Sequence, residues 1–172
     1  MLKTRYWIAL TLLSVGALGG LLPETPTIPV QGATTRDWHP QSFWYYPWGR
    51  SGTHKGIDIF AQEGTPVLAA THGLVVHTGV DSLGGNIVLV LGGKWRLHYY
   101  AHLQDIDTQA WHWVTAGERI GTVGTSGNAV GKPPHLHYAI RTPYPQPWVY
   151  DAGVPQAWNK LFFVDPNRWL SR

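Results

Sequence analysis

The sequence predicts an all-β domain, an antiparallel sheet or sandwich. Three observations predict it. Short apolar runs alternate with glycine turns from Ile57 onward. No segment sustains an apolar period of 3.6 residues. The 172-residue chain holds one domain's worth of residues, enough for a real core, and no cysteine to staple it.

The strands are expected in order. GIDIF (56–60) comes first, then TPVLAATHGLVVHTGV (65–80), GNIVLVLG (85–92) and WRLHYYAHL (95–103). RIGTVG (119–124) and HLHYAI (135–140) follow a loop. Gly84-Gly85-Asn86 reads as a turn, and Gly92-Gly93-Lys94 as a tight hairpin. Short helical turns are placed in 105–113 and 155–162. There is no internal repeat and no coiled coil.

Ahead of this domain lies a different composition. Lys3 and Arg5 precede an apolar run from Tyr6 to Leu22 that Pro23 ends. That pattern reads as an export signal, either a cleaved signal peptide or a retained anchor, in residues 1–22. The run has no cysteine after it, so a lipid-modified cysteine is excluded. The rest of the chain is expected on the outer side of the inner membrane, in the periplasm or beyond it. Residues 23–36 are rich in Pro, Thr and Gly and read as an extended tether, with the folded domain spanning 37–172. The balance of 13 basic to 10 acidic residues suits anionic wall polymers or membranes and is too weak to argue nucleic acid.

With no thiolate available, any metal site must be built from His, Asp or Glu. Three stretches offer such donors. In PPHLHYAI, His135 and His137 are two apart, so a strand turns both to one face and Leu136 and Tyr138 to the other. In THKGIDIF, His54 and Asp58 are four apart, with Gly56 between them to let the backbone bend. In HYYAHLQD, alternation aims His98, Tyr100 and His102 to one face and Tyr99, Ala101 and Leu103 to the other. Taken singly, each stretch also reads as a polar strand edge or a hydrogen-bonded histidine.

Together, H-x-G-x-D, Y-x-H-L and H-L-H in this order resemble the lysostaphin- and LytM-type zinc endopeptidases, peptidase family M23. The resemblance extends through GIDIFAQEGTPVLAATHGLVV, LGGNIVLVLG and AGERIGTVGTSGNAVGKPPHLHYAI, from about Trp48 to Trp169. Lys132 and Pro133 depart from the direct Gly-Pro step of shorter members, and His98 stands where the family holds another residue type. The resemblance implies a β-sheet domain whose loops form a groove over one Zn2+. It implies His54, Asp58 and His137 as metal ligands, and His102 and His135 as catalytic histidines.

Three protein ligands leave a fourth position for water, which zinc brings to a pKa of roughly 7. The three glutamates, Glu24, Glu63 and Glu118, stand in no H-E-x-x-H arrangement, so histidine is the natural acid and base. One of His102 and His135 is expected to take the water's proton while the other steadies the developing charge. Tyr100, Tyr138 and Thr53 are expected to orient ligand rings. The ten tryptophans are expected mostly in the core, with Trp44, Trp48, Trp111 and Trp113 as candidates for a groove rim. His39, His72, His77 and His112 read as surface or structural.

The resemblance implies hydrolysis of peptide cross-links in cell-wall peptidoglycan, with a stem-peptide bond or a glycine bridge both open. The alternatives are a wall-associated regulator that activates another hydrolase without cutting, and a pure wall- or glycan-binding module. The complete set of donors argues against the regulator. A binding module has no need of His and Asp in metal-ligand order.

Overall fold

The computed structural model describes residues 6, 7, 11, 14, 16, 17 and 19–172. Among them, nine strands form one hydrogen-bonded antiparallel sheet, in agreement with the predicted class. They are β1 (Ile57–Phe60), β2 (Pro66–Leu68), β3 (Gly73–Asp81), β4 (Gly85–Gly92), β5 (Leu97–Ile106), β6 (Trp113–Val114), β7 (Arg119–Val123), β8 (His135–Arg141) and β9 (Phe163–Val164). The main path runs β1-β8-β5-β4-β3-β6, with β9 on β8 and a β2–β7 pair attached through β5.

β5 holds the two parts together. Its first half, Leu97–Ala101, pairs with β8. Its second half pairs with β7 through Leu103 and Ile106. The sheet therefore folds over on itself. The core fills the fold: Ile57, Ile59, Leu136, Tyr138, Ile140 and Tyr100 from one side meet Val67, Ile120 and Val123 from the other. Strand alternation explains the selection in β1 and β8, where Ile57 and Ile59, and Leu136, Tyr138 and Ile140, are each separated by one residue facing the opposite way. Tyr100 ties the two sides, its hydroxyl accepting from the Ala70 N–H at 2.8 Å.

Several expectations change. The run 65–80 is two strands, since β2 pairs with β7 and β3 with β4 and β6. Among the described residues, 105–113 holds no helical turn, because β5 continues to Ile106 and β6 begins at Trp113. The helical turn expected in 155–162 is α1 (Ala157–Lys160), and a second, α2 (Pro166–Leu170), is capped by the Asp165 carboxylate accepting from Asn167 N. Gly56 matters for close approach rather than for bending. A Cβ there would lie 2.3 Å from the Tyr138 carbonyl oxygen, so only glycine lets the chain enter β1 against β8.

Residues 23–36 do not hang free as a tether. Val30 is buried in the core and bridges to Val67, and Ile28 packs on the same cluster. Thr27 N donates to Ala70 O and Leu68 N to Pro29 O. The Glu24 carboxylate meets Lys94 at 2.9 Å, Arg96, and the Trp169 indole N–H at 3.2 Å. Packing therefore begins well before Asp37, since polar Pro- and Thr-rich composition still carries Ile28 and Val30 at positions that face the sheet. The leader expected in 1–22 lies in large part outside the described residues. Among those described, no helix is long and apolar enough to cross a membrane.

Candidate metal centre

The face of β1, β8 and β5 opposite the core forms the floor of a groove of about 810 Å³. Asp58 and Phe60 from β1 and His135, His137, Ala139 and Arg141 from β8 line it. These are alternate residues of each strand. Register then does the placing: Asp58 lies opposite His137, and Phe60 opposite His135. The residues of 47–51 and 53–55 wall one side, and Leu83, Gly84, Asn128, Lys132 and Pro133 also line the cavity.

Three donor atoms converge on this floor. Asp58 Oδ1 lies 2.8 Å from His137 Nδ1 and 3.0 Å from His54 Nε2, and the two ring nitrogens are 3.1 Å apart. Donors about 2.0–2.1 Å from one tetrahedral cation stand about 3.3 Å from each other. The observed triangle is close to that. His54 adds a chemical argument. Its Nδ1–H donates to the Ser42 carbonyl at 2.9 Å. With that hydrogen committed, Nε2 is the ring atom turned to the carboxylate oxygen, and in the neutral tautomer its lone pair would face that oxygen unless a cation lay between them. Two imidazoles and one carboxylate are a zinc-type donor set.

His102 and His135 stand beside this triangle. Their rings meet edge-on at 5.0 Å, and the His102 ring is 6.0 Å from that of His137. His102 Nδ1–H donates to Ser126 O at 2.9 Å, and His135 Nδ1–H to Pro133 O at 2.8 Å. Both rings thus turn Nε2 away from these anchors, and His135 Nε2 lies 3.9 Å from Asp58 Oδ2. The structure brings all five sequence-predicted residues, His54, Asp58, His102, His135 and His137, to one place.

His102 does not arrive there by simple alternation. His98 and Tyr100 face inward and are fully buried, while Leu97, Tyr99 and Ala101 line the groove. Strict alternation would bury His102 with His98. Instead β5 carries one extra residue between its pairings of Tyr100 with Val88 and Leu103 with Asn86. His102 takes up the bulge with φ 65° and swings to the groove side. Ser126 secures the bulge, its Oγ donating to Leu103 O at 2.7 Å and accepting from Asn86 N at 2.9 Å.

Residues 52–149 match a family model described as peptidase family M23. The chain belongs to peptidase family M23. It is 41% identical over 88 residues to the DD-carboxypeptidase/endopeptidase Mpg of Neisseria meningitidis serogroup B, covering 51% of this chain and 20% of Mpg. It is 36% identical over 91 residues to the peptidoglycan DD-endopeptidase ShyA of Vibrio cholerae, covering 53% of this chain and 21% of ShyA. The chain thus spans about a fifth of the length of these relatives. Its fold superposes on the catalytic domain of the antimicrobial peptidase lysostaphin from Staphylococcus simulans with a TM-score of 0.63 and 25% identity, covering 80% of this chain and 96% of that domain.

The electrostatics of the M23 site follow from burial. Burial alone would raise the Asp58 carboxyl, but His137 and His54 against its oxygen outweigh that and hold it well below the usual range. Burial, then the neighbouring His137 and His135, lower His102 to about 4, so it is neutral at pH 7. Burial likewise lowers His137, against the pull of Asp58.

The expected ring-orienting side chains do other work. Tyr100 serves Ala70, the Tyr138 hydroxyl hydrogen-bonds His98 Nδ1 at 2.7 Å, and buried Thr53 Oγ1 has no partner among the described residues. The orienting acceptors are the carbonyls of Ser42, Ser126 and Pro133. Backbone acceptors leave no signature in side-chain type, so sequence reasoning had no handle on them. Trp48 does rim the groove of the M23 domain and stacks on the His54 ring at 4.1 Å. Trp44 is buried, whereas Trp111 and Trp113 are exposed and outside the groove lining. Of the ten tryptophans, Trp38, Trp44 and Trp169 are buried; Trp7, Trp148 and Trp158 join Trp48, Trp111 and Trp113 at the surface, so the mostly-core expectation fails.

Proposed function

We propose that the protein is an exported zinc-dependent endopeptidase that hydrolyses peptide cross-links in bacterial peptidoglycan. The observation that carries this reading is the triangle of His54 Nε2, Asp58 Oδ1 and His137 Nδ1 at 2.8–3.1 Å on the floor of an open groove. Membership of peptidase family M23 and the similarity to Mpg and ShyA support the substrate class. Lys3 and Arg5 before the apolar run 6–22 support export to the cell envelope.

His54, Asp58 and His137 would hold the zinc. Bound there, it supplies a Lewis acid that acidifies water to a pKa of roughly 7 and polarises a scissile carbonyl. The protein's own groups do the rest. The Ser42 carbonyl fixes the His54 tautomer. His102 and His135 each commit Nδ1–H to a backbone carbonyl, which leaves Nε2 as the atom that takes or gives a proton. One ring accepts the proton of the attacking water at Nε2 and, as the imidazolium, passes it to the leaving amine; the other steadies the developing charge from Nε2 only in its own protonated form. The groove holds an extended peptide along β8, where Ala139 leaves room beside His137.

The test is mass spectrometry of purified cross-linked muropeptides incubated with the full chain, with and without zinc, beside His54→Ala. Conversion of dimers to monomers that needs both zinc and His54 supports the reading, and the product masses name the bond. A zinc-loaded protein that cuts nothing overturns it and favours the regulator.

A further inference from the structure

The groove floor continues past the metal centre to a cation. Along β8 the alternate residues His135, His137, Ala139 and Arg141 all line the groove. Arg141 stands four residues from His137, about 13 Å along a strand. It lies opposite Leu97, and its guanidinium sits over the Phe163 ring at 5.4 Å. Arg141 is exposed, and among the described residues no carboxylate pairs with it.

Five cations of the domain have carboxylate neighbours, while Arg36 and Lys160, outside the groove, have none among the described residues. Lys94, Arg96 and Arg172 share Glu24, Arg119 holds Asp107, and Arg168 lies near Asp165. The groove gathers cations without carboxylate partners: Arg50, Lys55, Lys132 and Arg141 all line it. Its two carboxylates are occupied. Asp58 belongs to the histidines, and Asp81 accepts the N–H groups of Leu83 and Gly84. Lys55 is tied to the Ser51 carbonyl at 2.8 Å, and Lys132 lies at the other end of β8. Arg50 belongs to the 47–51 wall, so Arg141 is the flat donor fork carried by the floor strand itself, at the far end of β8.

We propose that Arg141 is a specificity residue that binds a carboxylate of the substrate about four residues from the scissile bond. An extended peptide advances by nearly the same rise per residue as β8, so a chain lying along the floor reaches Arg141 at that separation. The M23 domain would then favour an anionic stem peptide over a neutral bridge of glycines. This inference rests on the endopeptidase reading for the position of the scissile bond, and its test separates the two.

Three fluorescein-labelled cross-linked peptides would be compared. One carries an acidic side chain four residues from the scissile bond and an amidated C-terminus. The second carries a neutral side chain there and a free C-terminal carboxylate. The third is amidated at both. Binding is read by anisotropy to the zinc-loaded full chain carrying His135→Ala, which prevents turnover. We expect one or both carboxylate peptides to bind about five- to tenfold more tightly than the double amide, with the preference shrinking at high salt. Arg141→Gln should bring the ratio close to one, and Arg141→Lys should keep part of it. Equal binding of the three peptides overturns the proposal, as does a preference that survives Arg141→Gln. Arg141-dependent binding with no cleavage by the His135-intact chain overturns the endopeptidase reading and leaves the carboxylate subsite standing.

Discussion

Asp58 and His137 face each other across the β1–β8 pairing, and their side chains meet at 2.8 Å between Oδ1 and Nδ1. A strand pairing thus sets the distance between two donors that lie 79 residues apart in the chain. Asp58→Asn keeps the shape and removes the charge. It should cost more zinc affinity than the roughly 10–100-fold typical of an outer-shell partner. Zinc titration by calorimetry would measure this. The amide's retained shape predicts a circular dichroism spectrum like that of the native chain.

His102 stands outside the donor triangle, anchored at Nδ1 by Ser126. His102→Ala should therefore leave zinc stoichiometry at one per chain while lowering kcat about 10²–10⁴-fold. Metal analysis and cleavage assays on the same preparation decide it. Loss of zinc together with activity would place His102 among the ligands instead.

His98 gives the fold a pH dependence away from the site. It is fully buried between Tyr138 and Trp169, and burial lowers it to about 3 from an ordinary 6.5. The folded state therefore resists the proton that the unfolded chain accepts. This contribution is complete above pH 6.5 and is lost as pH falls from there towards 3. Urea midpoints should drop between pH 7 and 4.5. His98→Gln, which can still bond Tyr138, should flatten that slope.

The Glu24 carboxylate is 6% exposed and gathers Lys94, Arg96, Arg172 and the Trp169 indole. Burial opposes its charge, but the Lys94 and Arg96 contacts win and its pKa is lowered. Its stabilisation is present above the unfolded value near 4.5 and is lost as pH falls below it. Glu24→Gln should cost about 1–3 kcal/mol in a denaturant titration at pH 7. An unchanged midpoint would mean that 23–36 is held by Ile28 and Val30 alone.

Much of this was legible in the sequence. The alternation in HLHYAI placed His135 and His137 on one face, and the strands carry Ile57, Ile59, Leu136 and Tyr138 to the other. With no cysteine, the donors had to come from His, Asp or Glu. Less was legible where composition misled. The Pro- and Thr-rich stretch 23–36 reads as a tether, yet Val30 completes the core. The tryptophans read as core, yet Trp48, Trp148 and Trp158 stand at the surface.

By itself, the sequence determined the strand class, the donor types and which residues share a face within β1 and β8. These follow from side-chain chemistry and the period of two, both local properties. Tertiary structure alone decided the register that sets Asp58 against His137, the extra residue that turns His102 out of the core, and the Ser42, Ser126 and Pro133 carbonyls that aim three rings. It also decided that Arg141 ends the groove without a carboxylate. Each depends on which distant backbone lies alongside, and hydrogen bonds between strands, not local preference, settle that.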